Sequence, residues 1–463
     1  MASIKDMRFV IHDVFDTAAH FRSLLGDDSL DRAFIDALLD EAHRYTDGEL
    51  KPLNRSGDEE GCHLENGVMR TPKGFRDAYR KYIAGGWAGL LGPTEYGGQD
   101  LPPTFGIMIE ELMCGANMAF SMYPGLSRGA VHALSVHGSA EQKAQFLPKL
   151  LTGEWTGTMC LTEPHAGSDV GLARTKASLQ TDGSYAVTGT KIFISAGEHD
   201  LSDNIIHLVL ARLDGAPAGT RGISMFVVPK IDLDGKRNTV ICSAIGEKMG
   251  IHGNATCVLN FDAARGYLVG EENHGMKYMF TMTNSARIGV GQQGVSLAQA
   301  AFEASSEYAH QRLQMRSLSG PKSPDKPADP IVVGPDVRRM LLNQRCFIEG
   351  GRALAFYAGR CVDTQLFATD PEVKQQAQEL LDFLTPIVKG FLTEGGFQSV
   401  NDAVQIFGGH GFIRESGVEQ FVHDSRITLI YEGTTQIQGL DLLARKVLMT
   451  QGKGLTHLIA EMQ

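Results

Sequence analysis

Positive charge is in short supply: 43 Lys and Arg stand against 54 Asp and Glu in 463 residues, a formal net charge of -11. Such a surface repels a nucleic-acid backbone unless a local basic patch is built, so a small-molecule substrate fits better. Cysteine is scarce too. The seven thiols, at 62, 114, 160, 242, 257, 346 and 361, are odd in number, scattered and never in a CxxC pair. That excludes a disulfide scaffold or zinc site and suits reduced thiols in a reducing compartment. No HExxH or clustered His/Asp set occurs, so the chemistry calls for an organic cofactor rather than a metal. No apolar run is long enough for a signal peptide or a membrane span. The expected location is the cytoplasm, or an organelle matrix after loss of a transit peptide. What is present is 43% hydrophobic and only 21% charged, a globular chain long enough for two or three packed units.

Periodicity divides the chain into helical, β and helical parts. Residues 1–156 are mostly helical, with Phe34, Ile35, Leu38, Leu39 and Ala42 on one face and Phe75 to Trp87 on another. Met108, Met113, Met118 and Met122 form a stripe at helical spacing, expected as core, with Tyr123 and Ser127 beside it as a weaker pocket candidate. Between 157 and 269, short runs at 184–195, 205–210, 223–228 and 256–261 alternate with Gly, Asp and Pro turns. No helical pattern separates them, so an antiparallel barrel or sandwich is favoured over a parallel βαβ sheet. Residues 270–463 return to helices at 276–307, 337–367, 372–391 and 399–407, with a Pro-rich surface loop from Gly320 to Pro327.

Three stretches carry chemistry. Near the C-terminus, Tyr431-Glu432-Gly433-Thr434-Thr435-Gln436 sets one carboxylate beside a glycine and two N-cap threonines. Ile437, Leu440, Leu443 and Val447 follow at helical spacing. A helix dipole stabilises an ionised carboxylate there by ~0.3–1 kcal/mol. Burial beneath an apolar ligand raises a carboxyl pKa by up to roughly 3–5 units, so desolvation wins in a closed site and Glu432 becomes a proton acceptor. The second stretch opens the β part: in Met159-Cys160-Leu161-Thr162-Glu163-Pro164-His165-Ala166-Gly167-Ser168, small residues let a backbone approach a flat or phosphorylated ligand, and Thr162 and Ser168 offer hydroxyls. The third, Gly289-Val290-Gly291-Gln292-Gln293-Gly294, satisfies GxGxxG but lies inside a helical pattern. Close helix packing explains it better than a dinucleotide site, which needs a preceding strand.

Together with Lys191-Ile192-Phe193-Ile194-Ser195 and Gln405-Ile406-Phe407-Gly408-Gly409-His410-Gly411, these motifs resemble the acyl-CoA dehydrogenase family of flavoproteins along nearly the whole chain. The resemblance implies a mostly α fold with a central β domain: an N-terminal helical domain (1–156), a β-barrel or sandwich domain (157–269) and a C-terminal helical bundle (270–463). It implies FAD between the β domain and the C-terminal helices. Met159, Leu161, Thr162, Gly167 and Ser168 fall on the family's flavin loop, and Phe193 and Ser195 flank the flavin, where many relatives carry Trp and Thr. Arg312 and Gln314 match a segment that reaches the FAD of a neighbouring subunit, although Met315-Arg316 replaces the usual Phe-Gly. Gln405, Gly408 and Gly409 match the glycine segment beside the adenosine of that same FAD, which implies a homodimer or tetramer.

By the same resemblance Glu432 falls on the catalytic base, Gly433 lies beside the thioester, and Thr434 and Gln436 touch FAD. A minority of relatives carry the base near 284–287, where this chain has Ala286 and no carboxylate, which favours Glu432. Ser168, Asn284, Gly433 and Arg287 match substrate positions, Arg287 being the choice for holding CoA. The implied reaction is α,β-desaturation of an acyl-CoA, with electrons passed to an electron-transfer flavoprotein. An acyl-CoA oxidase that uses oxygen and a non-desaturating, nucleic-acid-binding flavoprotein of the same fold stand as alternatives. Asp6 to Val10, Gly61 to Gly67 and Gly334 to Met340 look like the larger bacterial members. Those usually carry a further C-terminal domain; the chain ends at Gln463 where it would begin, leaving open an absent domain or a truncated chain.

Overall fold

The computed structural model describes residues 4–65 and 68–463, apart from the side chains of residues 282–284. The chain divides into two compact units, each gathered from separate stretches.

One unit comprises Pro52–Pro102 and Ala119–Ala286. A small antiparallel hairpin, β1 (His63–Glu65) and β2 (Val68–Arg70), lies within a region expected to be mostly helical. The main sheet contains β3 (Trp155–Cys160), β4 (Lys176–Leu179), β5 (Tyr185–Ser195), β6 (Asn204–Leu213), β7 (Ile223–Pro229), β8 (Val240–Ile245) and β9 (Thr256–Val269). Pairing runs β6-β4-β5-β9-β7 and back to β6, which closes a ring, with β3 added to β6 and β8 to β9. Most pairs are antiparallel, as expected, but β3–β6 and β4–β6 are parallel. Intervening strands rather than a helix carry those crossovers, so the absence of a helical pattern did not exclude parallel pairing.

Strand period explains the burial. On β6, Ile206, Leu208 and Leu210 join Ala130, Leu134, Phe146 and Leu150 from covering helices, whereas Val209 and Ala211 turn to the opposite face with Val187, Phe226 and Leu259. A strand buried on both faces reads as a continuous apolar run, which is what Ile-Ile-His-Leu-Val-Leu shows. The covering helix Ala140–Thr152 starts at a capping box, Ser139 with Gln142, and stops at Gly153 with φ 77°.

The other unit comprises Met1–Lys51, Pro103–Met118 and Arg287–Gln463. Its long helices are α1 (Pro103–His137, interrupted at Asn117 with φ -162°, ψ 94°), α2 (Gly275–Gln311), α3 (Pro335–Phe367) and α4 (Pro371–Phe407). The first and second of these cross from one unit's residues to the other's. Helix α4 is continuous where the sequence suggested two segments. Gly395 and Gly396 broke the pattern because they serve packing: a Cβ at Gly396 would lie 2.5 Å from Gly294 O. The GxGxxG run has the same cause, since a Cβ at Gly294 would lie 2.3 Å from Leu392 O and one at Gly291 would lie 2.8 Å from Val388. The methionine stripe is buried in full, and Tyr123 and Ser127 spend their polar atoms internally, Tyr123 Oη on Gly253 O and Ser127 Oγ on Tyr123 O. All six side chains are buried. In the Pro-rich loop, buried Asp329 accepts from the backbone N–H of Ser317, Lys322 and Ser323 and so fixes the turn.

Candidate active site

In the β unit the loop after β3 is built around one buried carboxylate. Glu163 accepts from Arg174 N (2.7 Å), Thr175 N (3.0 Å), Thr175 Oγ1 (2.6 Å) and Lys191 Nζ (2.9 Å). Lys191 also donates to Leu161 O at 3.0 Å, and Ile192 N donates to Thr162 O at 2.9 Å. Burial alone would raise the Glu163 carboxyl, but Lys191 and these bonds outweigh it and pull it down to about 2. Burial pulls the Lys191 ammonium down as well, so the pair is held by geometry on both sides. Glu163 and Ala166 exchange backbone bonds, which pinches the loop and leaves Gly167 and Ser168 exposed.

Phe193 sits in a register shift of β5 against β9, with φ 59° and its side chain 70% exposed. A bulky residue in the left-handed region is strained, and bulges re-aim side chains beside functional sites. Two residues on, Ser195 O accepts from Thr158 Oγ1 at 2.7 Å, tying that strand end to β3. The Met159 side chain belongs to the helix-covered core, so it offers a ligand only its backbone. The residues fit a flat cofactor: an exposed aromatic ring on a strained backbone stands on the strand next to a loop where a Cβ at Gly167 would meet only Thr162 Cγ2, at 4.0 Å.

In the helical unit, Glu432 also has positive φ, 54°, followed by Gly433 at 88°. A Cβ on Gly433 would meet Gln438 Nε2 at 2.7 Å, and that amide donates to both Glu432 O and Gly433 O at 3.1 Å. Thr434 caps the short helix Thr435–Leu440, accepting from Ile437 N, and Thr435 Oγ1 donates to Glu394 at 2.7 Å. Tyr431 Oη donates to Gln293 Oε1. The half-buried Glu432 carboxyl is pushed up by burial and pulled back by Arg287 and Lys389. Arg287 is buried and paired with Asp441 at 2.9 Å. The chain after Leu440 continues as a wide π turn, Asp441–Leu448. Leu440 and Leu443 are exposed whereas Ile437 and Val447 are half-buried, so only part of the apolar face read there is covered.

The two segments expected to reach a neighbouring subunit meet. Tyr308, four residues before Arg312, stacks on Phe407 with centroids 4.1 Å apart and bonds His410 Nδ1 at 2.7 Å. Arg312, Gln314, Gln405, Gly408 and Gly409 are all exposed, and a Cβ at either glycine would meet nothing within 4 Å. Gln436 is exposed as well. The Asn284 side chain lies outside the described residues. Sequence reasoning missed Lys389 and Gln438. Lys389 had a signal: it is the cation on a face where Thr385, Val388, Leu392 and Thr393 recur at helical spacing and are buried.

Models of the N-terminal, middle and C-terminal domains of acyl-CoA dehydrogenase match residues 35–154, 158–264 and 273–448. The chain is 48% identical over 423 residues to 3-methylmercaptopropionyl-CoA dehydrogenase of Ruegeria pomeroyi, covering 90% of this chain and 71% of that one. It is 33% identical to a butyryl-CoA dehydrogenase of Syntrophomonas wolfei over 99% of this chain and 77% of that one. The solved acyl-CoA dehydrogenase of Bacillus anthracis complexed with FAD aligns with a TM-score of 0.75 at 25% identity, over 89% of this chain and 68% of that one.

Proposed function

The chain belongs to the acyl-CoA dehydrogenase family of FAD-dependent oxidoreductases, and on that premise we propose that it desaturates an acyl-CoA thioester between Cα and Cβ, with Glu432 as the base. The observation that carries this is the setting of Glu432: a carboxylate on a strained backbone, raised by burial yet faced by two cations. A general base works best when its pKa approaches the working pH, and burial moves Glu432 that way.

In this reading Glu432 takes the α-proton, and its own backbone N–H donates to the thioester carbonyl where enolate charge develops. Gln438 fixes that backbone by holding the carbonyls of Glu432 and Gly433. Arg287 binds the CoA portion, with Asn284, Gly433 and Ser168 on the substrate side. Leu161, Thr162, Gly167, Ser168, Phe193, Ser195, Thr434 and Gln436 hold the flavin, with Met159 contributing backbone. FAD held by these residues would supply the redox chemistry, as the acceptor at N5 of the hydride that leaves Cβ. Arg312, Gln314, Gln405, Gly408 and Gly409 serve the neighbouring subunit of a homodimer or tetramer, and the helical (1–156), β (157–269) and helical (270–463) parts are its domains.

The first substrates to try are the 3-methylmercaptopropionyl and butyryl thioesters, after the two relatives. Anaerobic mixing of the FAD-loaded enzyme with short, medium, aromatic and thioether acyl-CoAs tests the reading. Bleaching of the flavin by at least one of them, and reoxidation that needs an electron-transfer flavoprotein, is the expected outcome. Bleaching followed by rapid reoxidation in air alone makes it an oxidase, and no bleaching by any thioester refutes desaturation.

A further inference from the structure

Lys389 lies on α4 with a relative exposure of 0%, and its Nζ has no hydrogen-bond partner among the described residues. A buried ammonium without bonds is costly unless an opposite charge faces it. Its neighbours supply that charge from several elements. A Cβ at Gly390, the next residue on α4, would lie 3.7 Å from Cβ of Gln438, whose amide holds the Glu432 and Gly433 carbonyls, so this turn of α4 lies close to the Glu432 loop. Glu432 from that loop and Glu394 from α4 itself both favour the ammonium, and Arg287 from α2 opposes it. Glu394 accepts from Thr435 Oγ1, and Arg287 is neutralised by Asp441 of the π turn, which Arg445 also approaches at 3.4 Å. Tyr431, the residue before Glu432, spends its hydroxyl on Gln293.

Glu394, Arg287 and Asp441 thus each have a bonded partner, whereas Lys389 has none among the described residues. We propose that Lys389 is a positioning residue for the reaction, its unbonded ammonium being the counter-charge that keeps Glu432 ionised and ready to accept a proton. Burial pulls the ammonium down to about 8, so it stays mainly protonated at neutral pH. The coupling is mutual: whatever Glu432 does for Lys389, Lys389 does for Glu432, so the two titrate as a pair. When Glu432 takes the α-proton it withdraws the charge that Lys389 faces. The reacting pair thereby becomes less comfortable as the proton arrives, which favours handing the proton on after turnover.

This inference rests on Glu432 being the base, so the test separates the two. Lys389→Met and Lys389→Arg are prepared in the FAD-loaded enzyme, with flavin content and thermal melts checking that each folds. Two titrations are run on each: the pH profile of anaerobic flavin bleaching by butyryl-CoA and 3-methylmercaptopropionyl-CoA, and the substrate-free infrared carboxyl signal assigned by difference from Glu432→Gln. Loss of an opposite charge moves a carboxyl upward by roughly one to three pH units. Both midpoints are therefore expected to rise by that amount in Lys389→Met and to return toward the original in Lys389→Arg. An infrared midpoint that stays put in a folded Lys389→Met enzyme overturns the proposal while leaving Glu432 as the base. An infrared midpoint that moves while the bleaching profile does not overturns it through the functional reading itself.

Discussion

Removing both partners of the Glu163–Lys191 pair should cost the loop after β3 less than the two single removals added together. Glu163 is 3% exposed and Lys191 is fully buried, 2.9 Å apart. The drop of Glu163 from an ordinary 4.5 to about 2 corresponds to about 3 kcal/mol of preference for the ionised form. The sign follows from the direction: the folded value lies below the unfolded one, so this stability is complete above about 4.5 and is lost as pH falls toward about 2. At pH 7, Glu163→Gln strands a buried ammonium on Leu161 O alone and should cost ~3–5 kcal/mol. Lys191→Met leaves the carboxylate its bonds to Arg174 N, Thr175 N and Thr175 Oγ1 and should cost less, about 1–3 kcal/mol. The double substitution leaves a neutral amide among those donors and an apolar stem in an apolar place, so its cost should fall below the sum of the singles by at least ~2 kcal/mol. Urea unfolding followed by tryptophan fluorescence reads the right unit, since Trp87 and Trp155 both lie in it. Additive single costs would refute the account of the loop as built on this pair.

Two more predictions follow from local geometry. Phe193→Ala should weaken FAD binding about tenfold, the worth of one aromatic contact, while leaving the melting of the flavin-free protein unchanged because the ring is already 70% exposed; unchanged affinity in a flavin fluorescence titration refutes its role. Gly294→Ala should destabilise by ~1–3 kcal/mol, since its Cβ would lie 2.3 Å from a backbone oxygen, whereas Gly289→Ala meets nothing within 4 Å and should be neutral or stabilising by up to ~1 kcal/mol in thermal melts.

Local pattern made much of this legible. Alternation and turn residues place β5, β6, β7 and β9, and the helical pattern around 289–294 assigns its glycines to close packing, as the approach of Gly294 to Leu392 O bears out. The short strands β3, β4 and β8 escaped because their pairing is decided by partners distant in sequence: β3 lies against β6, and β4 lies between β5 and β6. The break read within α4 came from Gly395 and Gly396, whose cost in a helix is offset by contact with Gly294, again a tertiary fact. The same limit applies at the site. Glu432 announces itself beside Gly433, but the amide of Gln438 and the ammonium of Lys389 matter only once α4 is laid close to that loop.

The central claim is tested most directly by anaerobic stopped-flow reduction of FAD-loaded Glu432→Gln with an acyl-CoA that bleaches the unsubstituted enzyme. The substituted protein should bind FAD and the thioester normally and reduce its flavin slower by two or more orders of magnitude, on the order of 10²–10⁴-fold for loss of a general base. Reduction at the native rate would contradict Glu432 as the base that starts desaturation.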